Sequence, residues 1–444
     1  MSFASTAGQP APDLPSSATI HGSTSRAANL LHAATALLPY LGRGEALDAA
    51  TLRNVMTEAF GANDAQGAWL WKDAYEACEA AQLLFLRRYL SAMRARASSP
   101  AHLLAMIARI AALTPTHTRR SEESLTLQQF STPIELGFIA RVAAGITAGD
   151  TVLEPSAGTG LLAIFAEAGG AALALNEIAD TRADLLSLLF PAADVTRFNA
   201  EQIHDYLPDN VQPSVVMMNP PFSASLNVKA TIAGTDLRHI RSALLRLPSG
   251  GRLVAITSAQ SHPQAIPDMT LLGRVVFTAP IAGALYRRHG TTIETRLTVI
   301  DRTTDEHPVS AIASLPPAQS AEELLASVIE NVPPRLSLHI RPVAALPAHR
   351  SPPPRPVPNR TLHQPPRPVR TDAPIIELRY TCREPDTALP AAFSDTLYEP
   401  YQTETVDIDG AHSHPTKLVQ SAAMAAVRPP ATSLPSASAA SCCA

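Results

Sequence analysis

Two short motifs hold the groups in this chain that could do chemistry: Glu154-Pro155-Ser156-Ala157-Gly158-Thr159-Gly160, and further on Asn219-Pro220-Pro221-Phe222. In the first, Gly158 and Gly160 can take positive φ and let a ligand approach the backbone. A helix expected from Leu161 would aim its first amides into the same crevice. A dinucleotide loop spaces its glycines G-x-G-x-x-G and seats a diphosphate on those amides. Here the order is acidic-x-x-x-G-x-G, and a carboxylate beside the loop repels a diphosphate but attracts an α-ammonium. Glu154, Ser156, Ala157, Gly158 and Gly160 therefore read as contacts for S-adenosylmethionine rather than NAD. The plainer reading is a glycine turn in an ordinary α/β unit.

Asn219 follows the apolar run Val215–Met218. A central strand there would deliver it to the carboxyl edge of a sheet, where open α/β sheets bind ligands. Consecutive prolines cannot continue a ladder, so Pro220 and Pro221 hold a fixed loop, and their carbonyls still accept hydrogen bonds. An exocyclic amine on an aromatic ring is a poor nucleophile because its lone pair is delocalised. Asn219 Oδ1 and the Pro220 carbonyl can both accept from such an amine, turning it towards tetrahedral geometry with its lone pair aimed at a sulfonium methyl. Positioning and charge stabilisation then carry the reaction without a strong base. Phe222 can stack on a flipped base. Alone, Asn-Pro-Pro-Phe is a rigid turn; the glycine loop upstream favours the clamp.

Three further places fit a cofactor. Glu177 follows the run Ala172–Leu175, and a carboxylate at a strand end can accept from both ribose hydroxyls; it can equally cap a helix. Asn199 and Ala200 follow the next strand, where a polar side chain could bond the adenine amino group, or Asn199 could cap the helix near Glu201. Phe130-Ser131-Thr132-Pro133 precedes the helical run Ile134–Ala144. Ser131 or Thr132 suits an N-cap and Pro133 a first turn. That helix start, with its hydroxyl, could receive the cofactor carboxylate or be a helix start and no more.

The elements that must position these residues can be read from periodicity. Strands are expected at Thr151–Leu153, Ala172–Leu175, Val195–Phe198, Ser214–Met218, Arg252–Thr257, Arg274–Thr278 and Arg296–Ile300. Helices are expected at Leu161–Ala168, Ala179–Leu189, Glu201–Tyr206, Asp236–Leu247 and Pro267–Leu272. Strands alternating with helices imply an α/β fold whose mostly parallel sheet is covered on both faces. The short link from Gly290 to Thr295 suits an antiparallel final strand.

Around this unit, residues 1–26 read as a disordered tail and 27–120 as a helical region. The basic Arg87-Arg88 and Arg94–Arg96 stretch either packs on the next domain or touches a phosphate backbone. Residues 128–302 form the α/β domain and 303–372 a Pro/Arg-rich extension with a short helix at Ala321–Asn331. That extension is an inert polyproline spacer or an electrostatic tether to nucleic acid. Residues 373–428 look partly ordered, with a strand candidate at Ile375–Tyr380, and 429–444 disordered.

Composition bounds the rest. With ~100–200 residues per domain, 444 residues hold two domains and linkers. A net charge of -4 supplies no global basic field for nucleic acid. Four cysteines show neither metal-ligand spacing nor a disulfide framework, which favours a reducing cytoplasm. No metal is expected, and neither a signal peptide nor a membrane span is visible.

From Gln128 to Arg302 the residues resemble the N6-adenine DNA methyltransferase superfamily, with its cofactor motifs ahead of the clamp as in gamma-type members. The resemblance implies a Rossmann-like, class I sheet of seven strands. It implies cofactor roles for Thr132, Glu154, Gly158, Gly160, Glu177 and Asn199, and catalytic roles for Asn219, Pro220 and Phe222. Many adenine enzymes carry Tyr at the place of Phe222, and Phe also occurs in ribosomal RNA guanine-N2 enzymes. Protein glutamine methyltransferases share the clamp, usually with Tyr. The run Ala282–Asp301, with Tyr398-Glu399-Pro400-Tyr401 and His414–Ser421, is similar to the methylase part of strawberry-notch-type bacterial methylase–helicase proteins. No G-x-x-x-x-G-K-[ST] motif is present. The expectation is a split or truncated member on a mobile element, acting on DNA, with a helicase supplied in trans. The alternatives are an RNA or protein methyltransferase and a non-catalytic DNA-binding remnant.

Overall fold

The computed structural model describes residues 17–117, 131–221, 224–227, 230–232, 235–266, 268–303, 315–338 and 388–393. The chain divides into two compact units, Met1–Leu397 and Tyr398–Ala444, and all described residues lie in the first. The strand candidate Ile375–Tyr380 and the segment 398–444 fall outside the described residues.

Four helices come first: α1 (Ser17–Arg43), α2 (Ala49–Phe60), α3 (Trp71–Arg96) and α4 (Pro100–Leu113). Helix α1 begins inside the stretch expected to be a tail. Its Arg26 Nε donates to Asp73 Oδ1 at 3.0 Å, so a contact with α3 holds a segment of small polar residues that are weak helix formers by themselves. Ser99 caps α4 by accepting from His102 N, with Pro100 in the first turn, the usual start chemistry.

The sheet follows. Its elements in chain order are α5 (Ile134–Ala144), β1 (Thr151–Glu154), α6 (Ala163–Glu167), β2 (Ala172–Asn176), α7 (Asp180–Leu189), β3 (Asp194–Thr196), α8 (Ile203–Tyr206) and β4 (Val215–Met218). Then come a two-strand hairpin, β5 (Ala224–Asn227) with β6 (Ala230–Ile232), α9 (Thr235–Arg246), β7 (Arg252–Ser258), α10 (Met269–Leu272), β8 (Gly273–Ile281), β9 (Thr295–Arg302) and α11 (Ala321–Asn331). The order across the seven-stranded sheet is β3-β2-β1-β4-β7-β9-β8. From β3 to β7 the pairs are parallel. β9 runs antiparallel to both β7 and β8, as its short connection from Gly290 requires.

Alternate residues of each strand feed two cores, as a sheet covered on both faces demands. Val152, Leu175, Val215, Met217, Val254 and Val299 face one core, which continues through α5, α6 and α7 into the N-terminal helices. Leu153, Ala174, Val216, Met218, Leu253 and Ala255 face the other, closed by α8, α9 and α10. The last two strands are locked to β7 by a buried ion pair between register partners. Arg252 Nε meets Asp301 Oδ1 at 2.7 Å and Nη2 meets Oδ2 at 3.0 Å. No helix among the described residues is long and apolar enough to cross a membrane.

Candidate active site

The chain travels outward from β1 through β2 and β3, then crosses back to place β4 on the other side of β1. Such a reversal opens a crevice at the carboxyl ends of the two strands. Their register pairs Val152 with Val215 and Leu153 with Val216. The glycine loop therefore leaves one strand tip and Asn219-Pro220-Pro221 leaves the adjacent one.

Gly158 has φ 57° and Gly160 φ 91°, both in the left-handed region. They are glycine for different reasons. A Cβ on Gly160 would sit 2.4 Å from a Phe190 ring carbon, whereas a Cβ on Gly158 would meet nothing within 4 Å. Gly160 is packed; Gly158 faces open space that a ligand can enter. The loop is tied down by Ala157 N donating to Asn176 O at 2.9 Å and Gly160 N to Ala157 O at 2.8 Å. Ser156 is half-buried and Ala157 buried.

Glu177 is 6% exposed. Its Oε2 accepts from Gly158 N at 2.8 Å and its Oε1 from Ala179 N at 2.9 Å. It thus fixes the residue just ahead of α7 and braces the glycine loop at once. Each carboxylate oxygen has two lone-pair directions, so a pair remains for ligand hydroxyls.

Glu154 departs from expectation. It is 2% exposed, and burial holds its carboxyl well above the usual carboxylate range. The Ala163 backbone amide opposes that rise, and the charge of Glu177 adds to it. A lone carboxylate in that position would be both desolvated and beside another, so Glu154 holds its proton to higher pH than an exposed carboxyl does.

The residue with the most bonds here is one that the sequence marked only as a turn residue beside Glu177. Asn176, 1% exposed, donates from Nδ2 to Pro155 O at 2.8 Å and Phe198 O at 2.9 Å. Its Oδ1 accepts from Thr196 Oγ1 and Phe198 N, each at 2.8 Å. One amide ties together the loops that follow β1 and β3. The signal was a buried-strand Asn immediately before an acidic residue.

At the clamp, Asn219 Nδ2 donates to Thr132 Oγ1 at 3.0 Å. This bond joins the most upstream motif to the last one. It also orients the amide, so that Oδ1 is the end turned away from Thr132; Oδ1 is shielded from solvent in this conformation. Pro220 is buried and Pro221 half-buried. Helix α5 has Pro133 at its N-cap and no side-chain cap. Thr132, expected as a capping hydroxyl, serves Asn219 instead. Asn199 is exposed and accepts from Glu201 N at 3.1 Å, the capping role, while Ala200 beside it is buried. Phe130 and Phe222 lie outside the described residues.

The N-terminal helices reach this site directly. Glu79 Oε2 of α3 accepts from Thr159 Oγ1, inside the glycine loop, at 2.6 Å. One turn earlier Glu76 Oε1 accepts from Arg182 Nε of α7 at 2.5 Å. Arg87 pairs bidentately with Glu167 at 2.8 and 3.1 Å, and Arg94 Nη1 donates to Ala168 O at 2.7 Å. These arginines dock α3 on the end of α6. Charged residues at helical spacing inside an otherwise apolar run were the available signal for these buried pairings.

No protein-family model matches the sequence, and no curated protein matches it. Solved structures of low identity overlap parts of it. A Listeria monocytogenes protein described as a class I S-adenosylmethionine-dependent methyltransferase is 13% identical, covering 69% of this chain and 98% of that one, with a TM-score of 0.38. A Vibrio vulnificus protein described as a modification subunit of a type I restriction enzyme is 17% identical over 52% of this chain and 63% of that one, TM-score 0.35. TrmN from Thermus thermophilus is 18% identical over 40% and 51% of the two chains, TM-score 0.30. The present chain thus spans about half the length of TrmN. Likenesses this remote carry nothing about substrate.

Proposed function

We propose that this chain is an S-adenosylmethionine-dependent methyltransferase whose acceptor is an exocyclic amine, the N6 of adenine in DNA. The observation that supports it above all is the bond from Asn219 to Thr132. It puts the clamp against the upstream motif, on a strand next to the one that carries the glycine loop. The residues present fit the cofactor. Gly158 leaves room where a side chain would intrude, and Glu177 keeps lone pairs for two ribose hydroxyls beyond its bonds to the loop amides. Glu154, whose carboxyl burial pushes up, would be drawn back towards its ionised form by an α-ammonium.

S-adenosylmethionine, when bound, supplies an electrophilic methyl on a sulfonium. Asn219 Oδ1 and the Pro220 carbonyl would accept from the target amine and fix its lone pair on line. As the C–N bond forms and the C–S bond breaks, these acceptors stabilise the charge growing on nitrogen. The surplus proton then leaves to water. Thr132 holds the Asn219 amide so that its oxygen, not its nitrogen, is offered. DNA as the partner, and a helicase acting with this chain, rest on the resemblance of the motifs.

The test is methyl transfer from tritiated cofactor to purified DNA, RNA and protein. Label is expected in DNA and, after digestion, in N6-methyladenine. Asn219→Ala is expected to abolish transfer while calorimetry still detects cofactor binding. Absence of cofactor binding by the native chain would defeat the enzyme reading; label in RNA guanine, which the phenylalanine at position 222 allows, or in protein glutamine would move the same chemistry to another acceptor.

A further inference from the structure

Beside the crevice, three ionisable side chains from distant parts of the sequence converge. Glu79 comes from the middle of α3. His117 lies just beyond α4, and His289 ends the 3-10 turn Gly283–His289 between β8 and β9. One ligand-type atom from each lies within 4.8 Å of the other two.

The contacts among them are not hydrogen bonds. His117 Nε2 is 3.9 Å from Glu79 Oε1, beyond hydrogen-bond range. Glu79 Oε1 and His289 Nδ1 are buried and have no hydrogen-bond partner among the described residues. Buried polar atoms are almost always satisfied, so two orphans on the residues of one cluster call for an explanation.

The surroundings hold the cluster in place. His117 N donates to Arg288 O at 2.7 Å, and Arg288 Nη1 donates to Thr114 O at 3.1 Å, stitching the two histidine-bearing segments together. The His117 ring stacks on Tyr75 at 4.3 Å and 16° and meets His289 edge-on at 5.1 Å and 69°. Glu79 Oε2 is already engaged by Thr159, the kind of outer bond that orients a ligating carboxylate.

We propose that Glu79, His117 and His289 bind a divalent transition-metal ion of the zinc class, which fastens the N-terminal helices to the sheet-bearing part beside the glycine loop. Two imidazoles and a carboxylate match the preferences of zinc, cobalt and nickel and not those of magnesium or calcium. Zinc bonds of about 2.0–2.2 Å require the three ligand atoms to close by about an ångström, with water in a fourth position. The nearest opposing charges are Arg288, whose guanidinium is turned to Thr114, and Arg182, which is paired with Glu76. Satisfying the orphaned Glu79 and His289 atoms is the gain set against them. The inference does not depend on the methyl-transfer reading.

The test uses the full chain, freed of any purification tag, stripped with a chelator and titrated with Co(II) and then Zn(II). One equivalent of cobalt is expected, with visible absorption that zinc displaces and a melting temperature that rises with either metal. Glu79→Gln, which keeps the Thr159 contact, and His117→Ala, at a partly exposed position, are each expected to weaken cobalt binding by about tenfold or more with an unchanged circular dichroism spectrum. His289→Gln should do the same if it folds; the other two variants suffice if it does not. A stripped native chain that shows no cobalt absorption overturns the proposal. So does absorption that persists at the same affinity in both Glu79→Gln and His117→Ala.

Discussion

Gly158 and Gly160 sit two residues apart in the same loop, yet replacing them should do different things. Gly158→Ala meets no neighbour and incurs only the left-handed backbone cost of about 1–2 kcal/mol. Its protein should fold, with a melting temperature a few degrees lower, and lose cofactor affinity in calorimetry. Gly160→Ala drives a methyl into the Phe190 ring as well, for roughly 2–5 kcal/mol in all, and should be lost mainly as soluble, folded protein. Glu154 makes a second case at this scale. Its ordinary value of 4.5 is raised in the folded chain, so the folded state keeps its proton to higher pH than the unfolded state does. The stability linked to this group is full below about pH 4.5 and drains away as pH climbs towards the folded value. Glu154→Gln removes that loss. The melting-temperature gain of the variant over the native protein is expected to be near zero at about pH 4.5 and to widen as pH rises above it; a gain that shrinks as pH rises would refute it. The glycines, Glu177 and Asn219 stood out in the sequence because type and spacing flag them. Asn176 did not, because its four bonds go to backbone and side-chain atoms that only the folded loops bring near it.

Among the elements, the pair Arg252–Asp301 is the clearest stabilising cross-link between β7 and β9. Arg252→Met leaves Asp301 buried without its partner, and should cost about 3–5 kcal/mol in denaturant unfolding. Adding Asp301→Leu should restore much of that loss, since two apolar side chains need no partners. A double variant no more stable than Arg252→Met alone would contradict this account. The strands and the helices α5 and α11 were legible because apolar periodicity and flanking Gly, Pro and Ser residues mark them. The hairpin β5–β6 was not. Residues 224 to 232 do alternate apolar and polar, but the run is short and follows closely on two prolines, which mark a loop. The early start of α1 was hidden because its first residues are mostly small and polar, the helix being secured through Arg26 and Asp73.

For the molecule as a whole, one apolar core runs from the N-terminal helices through α5, α6 and α7 to the sheet. Cooperative unfolding follows from continuous burial. Calorimetry should therefore record a single transition for residues 17–303, not separate melting of helices and sheet; two resolved transitions would show the helices to be an independent domain. A piece lacking residues 17–117 should precipitate, because it would bare the apolar faces that α3 and α4 cover.

The way the chain leaves this core has its own consequence. Arg335 Nη1 bonds Asp150 Oδ2 at 2.7 Å, just ahead of β1, and Pro334 O accepts from Arg252 at 3.4 Å, at the first residue of β7. Both anchors sit at the amino ends of their strands, the pole opposite the crevice. Whatever continues past Leu338 thus sets out from the back of the molecule. A reporter or fused protein inserted after Leu338 would therefore start from the pole opposite the crevice and leave its mouth clear.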